Sequence, residues 1–422
     1  MLKKVPVSQL HPGMFVADFN HPNLEHPFFA APRLLKEDRE VLFMASQGIK
    51  EVYIDVSRGR DAHAPTRDEV DADIAAQIAE LGEDEGQRHA TAAAGLPRPQ
   101  SPKEMQEELS QASQVKSQAR RMVGNLLEDA RLGKQVTAGP VRAIVSEMAE
   151  SMFRNPSALL SLSQIKQKDE YTFMHSVNVG VFLMSFCQGL ELEASVTVDV
   201  GVGAMLHDIG KMKTPPEVLN KNGRLTNEEF AIMRNHVVYS AEILSQSPGF
   251  SQTAIHVAGQ HHERFDGSGY PHGLKGDEIS LYGQMAAIVD VYDAITSDRC
   301  YHKGMTPHEA LKKMLEWSQY HFKPELYQSF VRVVGIYPMG TFVRLENGLL
   351  GVVLESNRGD LLYPSVRVLI DSKNKRQLAP KTVDLSAYKD YPDKGFRIIA
   401  QEPHVKWGVD PKKHLPQAQL YQ

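Results

Sequence analysis

The chain has 422 residues and a formal net charge of −5, with 42% hydrophobic and 23% charged residues, a composition ordinary for a soluble globular protein of two or three domains. The acidic balance argues against a general binder of nucleic-acid polymers, whose phosphate backbones attract basic surfaces, but leaves room for a small phosphorylated ligand held by local cations or metals. No apolar run reaches the ~20 residues that span a bilayer. The start, MLKKVPVSQLHPG, lacks an apolar core long enough for a signal peptide, and the two cysteines, Cys187 and Cys300, provide no disulfide framework, so the expected compartment is the reducing cytoplasm.

In chain order, residues 1–60 read as a small β-rich domain. HPGMFV is a turn entering a strand, and KEVYIDV alternates Val52, Ile54 and Val56 with Glu51, Tyr53 and Asp55, the period-2 pattern of a half-buried strand. Residues 61–100 are charged, rich in Ala, Gly and Pro and poor in large apolar residues, which predicts a flexible linker. SPKE then offers a capping box from Ser101 to Glu104 with Pro102 at the first helical position. It opens a polar connector helix over 101–137 that is able to pair between subunits in a homodimer. From 138 to 335 the pattern is helical. YTFMHSVNVGVFLMSFCQGL and ASVTVDVGVGAMLHD are apolar on most faces, as in helices inside a bundle, and their length favours helix over strand despite the valines. Thr226 to Glu229 forms a second capping box. In the last unit, 336–422, TFVRLENGLLGVVLE alternates on either side of Asn347-Gly348, a hairpin signal, and SVRVLID adds a strand. The predicted fold is mainly α: a helical bundle between a small β-rich N-terminal domain and a β-rich C-terminal appendage.

The helical region collects metal-competent side chains from five segments: His175, the pair His207-Asp208, His236, the pair His261-His262, and Asp290. Imidazole and carboxylate together suit divalent transition ions, and a bundle core is a natural place to assemble them from facing helices. Neighbours on a helix point ~100° apart, so His207 and Asp208 either serve two metals or approach one from a helix end. Singly, each residue has an ordinary reading: a hydrogen-bonded core histidine for His175, a turn cap for Asp208, a solvated pair for His261-His262, a helix cap for Asp290. Lys211 and Arg299 read either as surface cations or as contacts to an anionic oxygen. The loop ERFDGSGYPHGL is turn-forming and glycine-rich, able to bring backbone close to a ligand or partner. The joint occurrence carries the argument, because burying several such groups without a cation has a heavy desolvation cost.

HDIGK, HHERFDGSGYP and IVDVYDAITSDR resemble the HD-GYP domain, the branch of HD-superfamily phosphohydrolases that hydrolyses cyclic di-GMP in bacterial signalling. The resemblance covers roughly 140–335, and VPVSQLHPGMFVAD is similar to the small domain often found in front of such domains. It implies an HD-type bundle and metal ligation by His175, His207, Asp208, His236, His261, His262 and Asp290, with Asp208 bridging two ions. Lys211 would contact the scissile phosphate and Arg299 another phosphate of the dinucleotide. Tyr270, in the Gly269-Tyr270-Pro271 motif, would shape the site or dock protein partners. Some relatives carry a glutamate one turn before the first histidine for a third metal. Here that position is Tyr171, with Glu170 on a different face, so a two-metal site is expected, with iron or manganese favoured. Ser240 stands where glycine is common, removing no ligand. The expected activity is a two-metal phosphodiesterase cutting cyclic di-GMP to pGpG, with a second cut to GMP open to the family. The alternatives are a weakly catalytic cyclic di-GMP sensor or scaffold, and a phosphohydrolase of another nucleotide.

Overall fold

The computed structural model describes residues 1–21, 31–83, 102–164, 171–221, 223, 225–297, 304–355, 357 and 360–415. At the N-terminal end, β1 (Leu2–Pro6), β2 (Phe15–Asp18), β3 (Arg33–Leu34) and β4 (Glu51–Asp55) form an antiparallel sheet in the order β1-β4-β2-β3. Met44 of α1 (Asp38–Ser46) joins Val5, Val16, Val52 and Ile54 in its core. The alternation expected of β4 fails at Tyr53, which is as buried as Val52 and Ile54. The Tyr53 hydroxyl donates to Glu316 Oε1 at 2.8 Å, so the face read as solvent-facing is an interface with the helical body.

The linker expected over 61–100 is in part a helix. α2 (Arg67–Glu83) buries Ile74 and Ile78 in the main helical core, and residues 84–100 lie outside the described residues. α3 (Pro102–Arg131) is the long helix expected after Ser101, a residue that also lies outside them. Leu109, Ala112, Ala119, Val123, Leu126 and Leu127 make its apolar stripe, and the helices packed on α3 are α4 (Ala138–Arg154), α5 (Pro156–Gln164) and α6 (Tyr171–Gly189) of the same chain. The helix is therefore part of the body rather than a connector, and this face is not free for a second subunit. α7 (Ala194–Met205), α8 (Pro216–Leu219), α9 (Asn227–Arg234), α10 (His236–Ser245), α11 (Gln252–Gln260), α12 (Leu281–Thr296), α13 (Pro307–Ser318) and α14 (Pro324–Val334) complete it. The valines of α6 are helical because Val177, Val179 and Val181 are all buried by neighbouring helices, and packing outweighs the small β-preference of the residue. The second capping box forms: Thr226 Oγ1 accepts from Glu229 N–H at 3.2 Å and Glu229 Oε2 from Thr226 N–H at 2.6 Å.

The C-terminal unit is a five-stranded antiparallel sheet, β8-β7-β6-β5-β9, built from β5 (Phe342–Leu345), β6 (Leu349–Glu355), β7 (Ser365–Asp371), β8 (Arg376–Asp384) and β9 (Ile398–Gln401). Its first hairpin turns at Asn347-Gly348, where Gly348 holds φ +90°, a conformation glycine adopts at no steric cost. The N-terminal sheet docks on α13 through Glu316. This buried carboxylate accepts from Tyr53 and, at 2.7 Å, from Asn20 Nδ2, with Lys4 Nζ at 3.1 Å. Among the described residues no helix is long and apolar enough to cross a membrane.

Candidate active site

Three of the histidines owe their orientation to secondary structure. His207 follows α7, His261 follows α11, and His236 opens α10 directly after α9. The last turn of a helix leaves carbonyls without intrahelical partners, and each of these imidazoles takes one three residues back. His207 Nδ1 lies 2.7 Å from the Ala204 oxygen, His236 Nδ1 2.7 Å from Met233 and His261 Nδ1 2.9 Å from Ala258. A carbonyl only accepts, so Nδ1 carries the proton and Nε2 presents its lone pair to the interior. His175 sits within α6 rather than at a helix end, and its Nδ1 is held by Asp293 Oδ2 at 2.8 Å.

These lone pairs converge. One group comprises His175, His207 and Asp208, the other His236, His261 and His262; within each, the ligand atoms lie within 4.8 Å of one another. Asp208 faces both groups, with Oδ2 3.3 Å from His207 Nε2 and Oδ1 3.3 Å from His236 Nε2. Asp290 does the same, with Oδ1 3.1 Å from His175 Nε2 and Oδ2 3.8 Å from His262 Nδ1. All seven residues expected as ligands are thus brought together, from α6, α7, α10, α11 and α12 and the segments that follow them.

The donor set fits divalent transition ions: five imidazoles and two carboxylates, largely buried. Asp208 Oδ1, His236 Nε2 and His261 Nε2 are buried without a hydrogen-bond partner, although the first two are within 3.3 Å of each other. Two acceptors facing each other are satisfied by a cation, not by a hydrogen bond. The electrostatics agree. Burial pushes both His261 and His262 well below their ordinary value. Both are neutral and ready to coordinate. Burial works against Asp208 and Asp290 as anions, but Lys211 beside the first and the hydrogen bond from His175 to the second hold both carboxyls well below the usual range. Against the effect of burial, Asp290 and Asp293 raise His175 to about 9. Without metal this imidazole carries a proton at neutral pH, and a bound cation would take the place of the proton on Nε2, beside Asp290.

Lys211 Nζ lies 2.7 Å from Asp208 Oδ2 and is about a quarter exposed, at the open edge of the cluster. Tyr270 stacks on His262, with ring centroids 4.7 Å apart and planes at 29°, and the Arg234 guanidinium lies 4.5 Å above the Tyr270 ring. Arg299 and Glu170 lie outside the described residues, and Tyr171 is the first residue of α6. The hydroxyl of Ser240 braces the site from behind: its Oγ accepts the Gly210 N–H at 2.9 Å, tying the turn after Asp208 to the helix that begins with His236.

Sequence reasoning missed Asp293 and Glu263. Asp293 stands three residues after Asp290, a spacing that puts both on one face of a helix; this was the available signal. Glu263 is fully buried and accepts from the His272 and Leu274 amides at 2.8 and 3.0 Å, closing the loop that carries Tyr270. Nothing local in the sequence distinguishes it from a solvated glutamate. A Cβ on Gly269 would meet Arg264 N at 2.3 Å, so only glycine permits this closure.

A helical body with a buried, two-lobed His/Asp cluster defines a metal-dependent hydrolytic centre as its class. The family model described as HD domain matches residues 156–326, and a domain of unknown function, DUF3391, matches residues 2–141. A cyclic di-GMP phosphodiesterase of Pseudomonas aeruginosa is 39% identical over 408 residues, 96% of this chain and 94% of that protein. A cyclic di-GMP phosphodiesterase of Thermotoga maritima is 34% identical over 44% of this chain and 51% of its own. A 3'3'-cGAMP-specific phosphodiesterase of Vibrio cholerae is 42% identical over 29% of this chain and 23% of its own. The chain belongs to the HD-GYP family of HD-domain phosphodiesterases.

Proposed function

We propose that this chain is a metal-dependent phosphodiesterase that hydrolyses cyclic di-GMP to pGpG, with a second cut to GMP open to the family. The observation that carries the reading is the convergence of seven ligand side chains, in a chain alike over nearly its whole length to a cyclic di-GMP phosphodiesterase. Three of the seven, Asp208, His236 and His261, present buried atoms that lack a hydrogen-bond partner. His175, His207 and Asp208 would hold one divalent ion and His236, His261 and His262 a second. Asp208 and Asp290, which face imidazoles of both groups, would serve either ion, and iron or manganese matches the donors. When bound, two such ions lower the pKa of a shared water toward neutrality and polarise a phosphoryl oxygen.

The remaining work falls to the chain's own side chains. Asp293 fixes the ring of His175 and its tautomer. Lys211, at the open edge, donates to a phosphoryl oxygen as negative charge grows on it, and Arg299 binds a second phosphate. Tyr270, stacked on His262 with Arg234 over its ring, forms one wall of the site. With two divalent ions held, the site would carry the positive charge that suits a small dianionic dinucleotide.

The test is turnover of cyclic di-GMP by purified, manganese- or iron-loaded protein, with 3'3'-cGAMP and linear dinucleotides in the same panel because a 3'3'-cGAMP-specific phosphodiesterase is 42% identical over 122 residues. Absence of turnover on cyclic di-GMP with either metal sinks the reading; preference for 3'3'-cGAMP redirects it. Lys211→Ala should lower kcat by roughly 10²–10³-fold while elemental analysis shows metal content unchanged. Asp293→Asn should weaken metal binding by roughly 10–100-fold, read as faster metal loss to a chelator.

A further inference from the structure

The loop bearing Tyr270 is held at two ends by different parts of the chain. Its far arm, His272 and Leu274, hangs on Glu263. Its near arm, Asp266 to Ser268, touches the N-terminal unit. There Asp266 Oδ1 accepts from the Ser268 amide at 3.0 Å and from its hydroxyl at 2.6 Å, forming a closed turn. Asp266 Oδ2 is buried without a hydrogen bond, and Lys50 Nζ, from the segment entering β4, lies 3.6 Å from it. Gly48 is closer still: a Cβ built there would lie 2.1 Å from Ser268 Cβ. The His21 ring packs edge-on against His321 at 5.1 Å, and the His321 carbonyl accepts the Phe265 amide at 3.0 Å. Two residues past Ser268 comes Tyr270, whose amide donates to the His262 carbonyl at 3.1 Å and whose ring covers the His262 imidazole.

We propose that the N-terminal unit, which falls within the domain of unknown function matched over residues 2–141, is a positioning part of the active site: through Gly48, Lys50 and His21 it sets the near arm of the loop and thereby the seat of Tyr270 beside His262. The contact is between packed surfaces. Its base is the docking of the N-terminal sheet on α13 through Glu316, and the His321 contact follows directly after that helix. Gly48, Lys50 and Asp266 are positioning residues, since none touches the ligand cluster. The kinetic consequence rests on the phosphodiesterase reading; the structural consequence does not.

The experiment is a double-mutant cycle in the full-length, metal-loaded chain, with Gly48→Ala, Ser268→Gly and the pair. It is read by hydrogen exchange of the 266–274 amides and by KM and kcat for cyclic di-GMP. Gly48→Ala introduces the collision, and Ser268→Gly removes the atoms it would strike. Contacting residues couple while distant ones add, so Gly48→Ala alone should raise KM and loop exchange about tenfold with kcat within about twofold, and the pair should fall clearly short of the two single effects combined. Additive effects in the pair, or loop exchange unmoved by Gly48→Ala, overturn the proposal. Gly48 holds φ +80°, so a side chain there also strains the backbone; if that variant does not fold, Lys50→Glu, at an exposed position, decides. Faster exchange at 266–274 supports the proposal and unchanged exchange overturns it. Should the wild-type chain not turn over cyclic di-GMP, the functional reading fails, and the exchange cycle still decides this one.

Discussion

Asp208→Ala is expected to reduce phosphodiesterase turnover to background, a loss beyond the roughly 10²–10³-fold that follows removal of one charge-stabilising donor such as Lys211. The difference lies in what each residue touches. Lys211 reaches one oxygen of Asp208 from the open edge. Asp208 faces His207 with one oxygen and His236 with the other, and its Oδ1 also stands 3.9 Å from His261 Nε2. Deleting it leaves two sets of imidazoles with Asp290 as the sole shared carboxylate, so metal content should fall together with activity. Asp208→Asn keeps the shape and one acceptor oxygen but loses the charge, and should sit between the two. Elemental analysis, with circular dichroism to check that the helices persist, separates metal loss from unfolding. A variant with full metal content and wild-type turnover would remove Asp208 from the centre of the site.

The ligands were legible in the sequence for a chemical reason. His and Asp side chains set within or at the ends of helical segments at five places make a pattern that burial penalises unless a cation is present, and the HDIGK and HHERFDGSGYP strings carry a family resemblance on top. The device that aims the imidazoles was not legible. It depends on carbonyls left open at helix ends, and thus on where α7, α9 and α11 stop, a matter of one residue that composition does not fix. The supporting residues were hidden for the opposite reason: Asp293, Glu263 and Glu316 look like ordinary acids, and only long-range packing turns them into buried, multiply bonded anchors. The same limit explains α2. Its residues are mostly polar, and Ile74 and Ile78 become a helix-stabilising face only because the helical body offers a core to receive them. Tyr53 shows the error in reverse, since alternation predicts a solvent face wherever a second domain is not anticipated.

Gly210→Ala is expected to disable the protein by geometry alone, with every ligand intact. Gly210 lies two residues after Asp208, where the chain passes against the start of α10. A Cβ there would lie 2.0 Å from the His236 carbonyl oxygen and 2.5 Å from the Ser240 amide. Those are backbone atoms, so no rotamer change relieves the overlap, and the turn must move off the helix. The movement breaks the Gly210 N–H bond to Ser240 Oγ and opens the 3.3 Å approach of Asp208 to His236, the closest link between the two halves of the cluster. Forcing a methyl into a filled space costs typically ~1–3 kcal/mol, and a buried amide left unpaired adds ~1–3 kcal/mol, so thermal unfolding should occur at clearly lower temperature and metal binding should be lost. Gly139→Ala in α4 is the matched control, because a Cβ there meets nothing within 4 Å; alanine is the better helix former by up to ~1 kcal/mol, so that variant should unfold no earlier than the wild type. If Gly210→Ala retains metal and unfolds where Gly139→Ala does, the HDIGK turn does not need its glycine and the close seating of Asp208 against His236 is not what holds the two halves together.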